Sequence, residues 1–251
     1  MAGKKRLDQL LVERALAADL DAARRLIGVG AVRVNDQPAD KAGSQVAATS
    51  RVHVKPARRF VSRGGDKLET ALQAFGLQPQ GFICADIGAS TGGFTDCLLQ
   101  HGAARVYSVD VGYGLLAWKL RSDPRVIVRD RVNARYLSTE HIPEPLDLAV
   151  VDASFISATL LLPPLIPLFS HLFRALILVK PQFQLAREQV GQGGIVRSQA
   201  LRDEAVTMVR DFAATQGLFC AQPFICPVTG TKGNEEIFLY LMRTRNQESC
   251  P

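Results

Sequence analysis

Five apolar runs in this 251-residue chain lead directly into a charged residue. They are "GFICAD", "ARVYSVD", "RVIV" followed by Arg129 and Asp130, "LDLAVVD" and "RALILVK", and they deliver Asp86, Asp110, Asp130, Asp152 and Lys180. Asp86 also opens a small-residue loop, "DIGASTGGF", containing Gly88, Ser90, Gly92 and Gly93. A phosphate site would pair such a loop with a nearby lysine in the pattern GxxxxGK[ST], and a dinucleotide site would show GxGxxG; neither is present. Four acids suit a ligand that is positively charged and rich in hydrogen-bond donors. S-adenosylmethionine has a sulfonium, an ammonium, a ribose diol and an adenine amine. On that reading Gly88 and Gly92 let the backbone approach the amino-acid part, and Asp110, 24 residues after Asp86, takes the ribose hydroxyls. Asp130 and Asn133 are placed for the adenine edge, and Asp86, Ser90, Gly93 and Asp152 complete the expected cofactor set. An aspartate that only caps the next helix is the competing reading for any one of them.

Elements of alternating type must position these residues. Helical patterns, including Gly93 to His101 and Arg202 to Gln216, separate most of the apolar runs, which predicts a Rossmann-like α/β domain. Its sheet is expected to be seven-stranded and mostly parallel, with helices on both faces. The runs "LFCAQPFICPV" and "EIFLYLM", joined through "TGTKGN", should pair antiparallel at one edge. In such a sheet, ligands bind beyond the carboxyl ends of the strands, where the strand order reverses. "RGGDKLETALQAFGL" predicts an amphipathic helix ahead of the first strand, with Lys67 in its first turn.

Charge sets the beginning of the chain apart. The first 61 residues hold 12 basic and 6 acidic side chains, and the remainder hold 18 of each, so the net charge of +6 belongs to the first quarter. Two short helices are predicted, from Leu7, Leu10, Leu11 and Ala15 and from Leu20, Ala23, Leu26 and Ile27. Small strands follow, around Val32 and Val34 and around Val52 and Val54. Lys5, Arg6, Arg24, Arg25 and Arg33 then form a basic platform for a polyanion. Hydrophobic content of 47% with 22% charged residues is that of an ordered globular protein. The five cysteines include no CxxC pair and no zinc spacing, so reduced thiols, no metal and a cytoplasmic location are expected. No signal peptide is read at the basic start. The uncharged run from Ala153 to Phe173 is broken by Pro163, Pro164 and Pro167, so it is expected in the core and not in a membrane.

The segment from about residue 5 to 55 resembles the small RNA-binding module named after a ribosomal small-subunit protein. "RLD" at Arg6 to Asp8 has the letters of a pseudouridine synthase signature, but it falls in the module's first helix, where Asp8 reads as structural. The whole chain resembles the TlyA family of hemolysin-named RNA methyltransferases, whose larger domain is of the class I, FtsJ-like type. The resemblance rests on "SRGGDKLE", "DIGASTGGFTDCLL", "VDVGYGLLAWKLRSDPRV", "DRVNAR", "VDASFIS", "LVKPQFQ" and "GNEEIF". It implies an RNA-binding domain over 1–57, a linker over 58–62 and an S-adenosylmethionine-dependent methyltransferase domain over 63–251.

The resemblance also implies a catalytic tetrad of Lys67, Asp152, Lys180 and Glu236, acting on the 2'-hydroxyl of a ribosomal-RNA cytidine in ribosomal subunits. A ribose hydroxyl is a very weak acid, so methylating it needs a base or a cation held in line with the donor carbon. Glu235 and Glu236 should point to opposite faces, and the family pattern selects Glu236. Arg63 and Arg197 join the expected RNA contacts. "RRFV" at Arg58 to Val61 stands where the family has its interdomain tetrapeptide, with Phe60 at a position that can hold tryptophan. A noncatalytic ribosome-assembly factor and a membrane-lytic protein are the two alternatives. Retention of all the acids and lysines argues against the first, and the lack of a convincing membrane segment against the second.

Overall fold

The computed structural model describes residues 3–55, 58–170, 172–230 and 233–243. The chain divides into two compact units between Arg59 and Phe60. In the small unit the order is β1 (Lys4–Arg6), α1 (Leu7–Glu13), α2 (Leu20–Gly28), β2 (Val32–Val34), β3 (Gln37–Pro38), β4 (Gln45–Ala47) and β5 (Val52–Val54). Helix α2 starts where the Asp19 carboxylate accepts the Ala22 amide at 2.7 Å. Asn35 and Asp36, with φ of 49° and 66°, make the tight turn joining β2 to β3, a conformation these two residue types tolerate. Leu7, Leu11, Ala23, Ile27 and Val32 form its buried core. The leading Lys4–Arg6 segment pairs antiparallel with β4, a strand that three consecutive basic residues do not announce.

The large unit starts with α3 (Arg63–Ala74), which Ser62 caps by accepting the Gly64 amide. Then follow β6 (Ile83–Ile87), α4 (Gly93–Gln100), β7 (Arg105–Asp110), α5 (Trp118–Arg121) and β8 (Val126–Asp130). The second half has β9 (Leu148–Val151), α6 (Leu162–Leu165), β10 (Phe173–Val179), α7 (Gln199–Thr215), β11 (Phe219–Cys220), β12 (Phe224–Ile225) and β13 (Ile237–Arg243). The sheet order is β11-β13-β10-β9-β6-β7-β8, with β12 also on β13. Strands β8, β7, β6, β9 and β10 are parallel, and β13 runs antiparallel to β10.

Among the described residues the sheet has eight strands, where seven were expected. The extra one arises because "LFCAQPFICPV" is split in two. Cys220 faces Leu241 and Phe224 faces Phe238, so this edge holds one residue more than its partner. Pro223, which has no amide proton, falls in the resulting bulge.

Both faces of the sheet are covered. Leu68, Leu72, Phe94 and Leu98 of α3 and α4 pack on one side, and Leu162, Leu165, Val209 and Ala213 of α6 and α7 on the other. The uncharged run at 153–173 supplies Leu161, Leu162, Leu165, Leu168, Phe169 and Phe173 to that second layer. Among the described residues no helix is long and apolar enough to cross a membrane. Phe60 and Val61, from the segment expected as linker, pack within the large unit. The Phe60 ring lies 2.2 Å from where a Cβ on Gly65 would stand, and the Val61 amide donates to Asp96 at 2.8 Å.

Candidate active site

Strand order reverses at β6, which has β7 on one side and β9 on the other. A cavity of about 550 Å3 opens at the carboxyl ends of these strands, large enough for a cofactor-sized ligand. Gly88, Ser90, Asp110, Asn133 and Asp152 from the expected cofactor set line it. Gly88 has φ of 86°, and a Cβ there would meet the Asp152 carbonyl at 2.9 Å, so the loop passes tightly against the end of β9. Asp110 organises the opposite wall. Its two carboxylate oxygens accept the Ser90 amide at 2.8 Å and the Gly112 amide at 2.7 Å. Each oxygen keeps a lone pair for a further donor. The rest of the wall includes Val109, Val111, Leu115 and Val132, which suit an apolar ring face. Two carboxylates and an apolar slot match the donor-rich, positively charged S-adenosylmethionine.

Four other expected residues do not line that cavity. Asp86 is completely buried beneath the loop, where its Oδ2 accepts both the amide and the hydroxyl of Thr95 and so caps α4. Its Oδ1 has no partner, and burial pushes this carboxyl up to about 7. Gly92 and Gly93 serve packing. A Cβ at the first would run into Leu120 and Leu116, and one at the second into Ser62 Oγ at 2.2 Å. Asp130 is turned aside to Arg121 at 2.6 Å and the Gly114 amide. Burial raises the Asp130 carboxyl, but these two partners outweigh it and hold the carboxyl below the usual carboxylate range.

The four expected catalytic residues form two ion pairs. Lys180 Nζ lies 2.5 Å from Asp152 Oδ1 and also donates to Ser154 Oγ at 2.9 Å and to the Asp152 carbonyl at 3.3 Å. Lys67 Nζ lies 2.5 Å from Glu236 Oε2. Continuing the Val179–Ile237 register by one step sets Lys180 opposite Glu236. Glu235 turns the other way, to Arg202 at 3.0 Å.

A second cavity of about 450 Å3 is lined by Lys180 and Glu236, together with Phe183, Val190 and Gly194. Ser154 and Phe155 line both cavities, so the Asp152–Lys180 pair stands where the two meet. The glycine-rich segment 191–199 reaches this second cavity through Gly194. Asn234 holds it, donating to the Gly194 carbonyl at 2.7 Å and accepting the Val196 amide at 2.9 Å.

Sequence reasoning did not single out Ser154, Phe155 or Gln184. Phe155 has φ of 63°, in the left-handed region that few non-glycine residues occupy, and its ring is 90% exposed. Its ring centre lies 4.9 Å from that of Phe183. Gln184 accepts from Ser157 Oγ at 2.8 Å and from the Ala158 amide at 3.2 Å, tying the loop after β9 to the loop after β10. Position directly after a strand-end acid was the available signal for Ser154 and Phe155.

In the small unit the basic residues are arranged around buried and exposed acids. Asp8 is buried and accepts Arg6 through two bonds of 3.1 and 2.8 Å, with Arg24 Nε at 3.6 Å. Hydrogen bonding to the Arg6 guanidinium holds the Asp8 carboxyl below the usual range despite burial. Lys5 pairs with Glu13 at 2.6 Å, and Arg33 donates to the Asp36 carbonyl at 3.1 Å. Arg25 is exposed; in the large unit so are Arg63, at the start of α3, and Arg197, just before α7.

A switch-point cavity with an acidic wall, opening on a lysine–aspartate pair, defines a methyltransferase whose cofactor is S-adenosylmethionine. Residues 60–243 match the FtsJ-like methyltransferase family, and residues 5–52 match the S4 domain. The chain is 45% identical over 243 residues to the 16S/23S rRNA (cytidine-2'-O)-methyltransferase TlyA of Mycobacterium tuberculosis, covering 96% of this chain and 91% of that one. It is 36% identical over 238 residues to Hemolysin A of Brachyspira hyodysenteriae, covering 94% and 99%. A solved hemolysin-named structure from Streptococcus thermophilus superposes with a TM-score of 0.73 at 38% identity, covering 98% of this chain and 90% of that one. The chain belongs to the TlyA group of the FtsJ-like methyltransferase family.

Proposed function

We propose that this protein methylates a ribose 2'-hydroxyl of ribosomal RNA, at a cytidine, within ribosomal subunits. The observation that carries this reading is the Asp152–Lys180 pair at the junction of two cavities. One cavity suits the methyl donor and the other suits a nucleoside, so the acceptor oxygen arrives beside the lysine. When bound, S-adenosylmethionine supplies an electrophilic methyl group on a sulfonium. Gly88, Ser90, Asp110 and Asn133 hold that cofactor, and Asp152 borders it. Lys180 is the base that holds the surplus proton after transfer, and Asp152 fixes the lysine's direction. Lys67 and Glu236 brace the floor beneath. Phe155, exposed between the cavities, offers a face on which an unstacked base can rest, the usual way in which single-stranded RNA is held. The basic residues of the small unit, with Arg63 and Arg197, contact phosphates.

The domain reading that goes with this is an RNA-binding domain over 1–57, a short linker and a catalytic domain to the end of the chain. The protein works in the cytoplasm, with no membrane or metal partner. The test is transfer of labelled methyl from S-adenosylmethionine to purified unmodified ribosomal subunits by wild type and by Lys180→Ala. Label in RNA ribose with wild type alone is the expected result. Cofactor binding without transfer to either subunit or to free ribosomal RNA sinks the ribosomal reading and favours an assembly factor.

A further inference from the structure

An ammonium group has three protons to donate and no lone pair with which to accept one. At Lys180 two are donated inside the protein, to the Asp152 carbonyl and Ser154 Oγ, and Asp152 Oδ1 lies 2.5 Å away as the ion-pair partner. Lys180 is itself 8% exposed, whereas Ser154 is exposed and borders both cavities. Of this cluster, Ser154 is thus the residue most open to a hydroxyl arriving between the cavities.

We propose that Ser154 relays the ribose proton to Lys180, a role that rests on the methyl-transfer reading above. Before the step Lys180 is an amine that stays against Asp152, still donating to its carbonyl, and its lone pair accepts the Ser154 hydroxyl across the same 2.9 Å. The oxygen of Ser154 then faces the 2'-hydroxyl as an acceptor. The 2'-oxygen bonds to the methyl carbon as the carbon–sulfur bond breaks, leaving its electron pair on sulfur. The hydroxyl proton moves to Ser154 Oγ while the proton of Ser154 moves to Lys180 Nζ. The result is an ammonium that donates to Ser154 Oγ and the Asp152 carbonyl beside the Asp152 carboxylate. Ser154 ends unchanged, and the surplus proton later leaves from Lys180 to water. By this assignment Ser154 is a catalytic residue that touches the acceptor oxygen, and Lys180 is the terminal base behind it.

The experiment compares wild type, Ser154→Ala and Ser154→Thr in single-turnover methyl transfer to ribosomal subunits, with cofactor and subunit binding measured separately. Ser154→Ala removes one exposed atom and no core contact. Its transfer rate is expected to fall about a hundredfold with both affinities intact, and Ser154→Thr, which keeps a hydroxyl, to recover most of the loss. The rate of wild type in mixed light and heavy water should follow a bowed curve, because two protons move together. In the cofactor-free protein, hydrogen exchange at Lys180 Nζ, read by nitrogen-15 NMR, should be faster in Ser154→Ala than in wild type. An alanine variant within about threefold of wild type, a straight-line isotope dependence or equal exchange rates each overturn the relay alone. Absence of transfer by wild type itself overturns the functional reading and the relay with it.

Discussion

The two lysine–carboxylate pairs beside the carboxyl edge of the sheet have the same 2.5 Å separation and very different surroundings. Lys180–Asp152 opens on both cavities, and its aspartate side chain keeps 22% of its exposure. Lys67–Glu236 joins α3 to the start of β13, with side-chain exposures of 10% and 4%. A charge pair that meets solvent can exchange its partner for a substrate. A pair with one carboxylate only 4% exposed is costlier to break and holds its elements in place, even though Glu236 borders the second cavity. On the proposed mechanism, equal distances conceal two jobs, chemistry at the junction and bracing under it.

Removing the junction lysine gives the largest expected effect on turnover. Lys180→Ala should lower single-turnover transfer by about 10²–10⁴-fold with the unfolding midpoint nearly unmoved, because Asp152 can still reach water. For the more buried Lys67–Glu236 pair the order of effects reverses. Glu236→Ala leaves a buried, unpaired Lys67 ammonium and should cost about 3–5 kcal/mol in urea unfolding. If instead that variant unfolds like wild type and merely loses turnover, the two pairs share one job and the contrast fails.

Asp86 sharpens the comparison, because it is a buried carboxyl with no cation partner among the described residues. Burial raises its folded-state pKa to about 7, above the usual value for an aspartate. The protonated form thus stabilises the fold at low pH, and that contribution is lost as pH rises through about 7. Between roughly pH 4 and 7, wild type should lose up to about 1.4 kcal/mol of stability per pH unit relative to Asp86→Asn. Parallel stability curves for the two proteins would rule out a buried acid of this kind. The smallest effect is expected in the other unit, where Arg24 is half exposed near Asp8. Arg24→Gln should reduce the logarithmic salt dependence of RNA binding by about 0.7–0.9, one phosphate contact, and leave stability within about 0.5 kcal/mol.

Much of this organisation was legible in the residues, for identifiable reasons. Apolar runs ending in acids marked the strands and their functional ends, and alternation along a strand separated Glu235 from Glu236. What failed was the direction of individual side chains. Asp86 follows the same kind of run as Asp110, yet it turns to α4, because the register sets it beside Ser108, two residues short of Asp110 and deeper in the sheet. Asp130 is captured by Arg121, and a pairing between a strand end and a four-residue helix has no linear signature. The bulge at Pro223 and the left-handed turn at Phe155 are backbone events that composition does not encode. Asp8, read as structural from its place in a helix, is indeed buried, and its arginine partners could be recognised only in three dimensions.

Glu236 meets Lys67 across 169 residues of chain, and it does so only once β13 has been laid between β10 and the short edge strands. Contacts of such separation pay their loop-closure entropy late in folding, so the site must be among the last parts of the molecule to be completed. During synthesis the lysines at 67 and 180 emerge well before the glutamate that completes their surroundings. A chain still lacking the strand beginning at Ile237 therefore carries both lysines but not the carboxylate that pairs with the first of them.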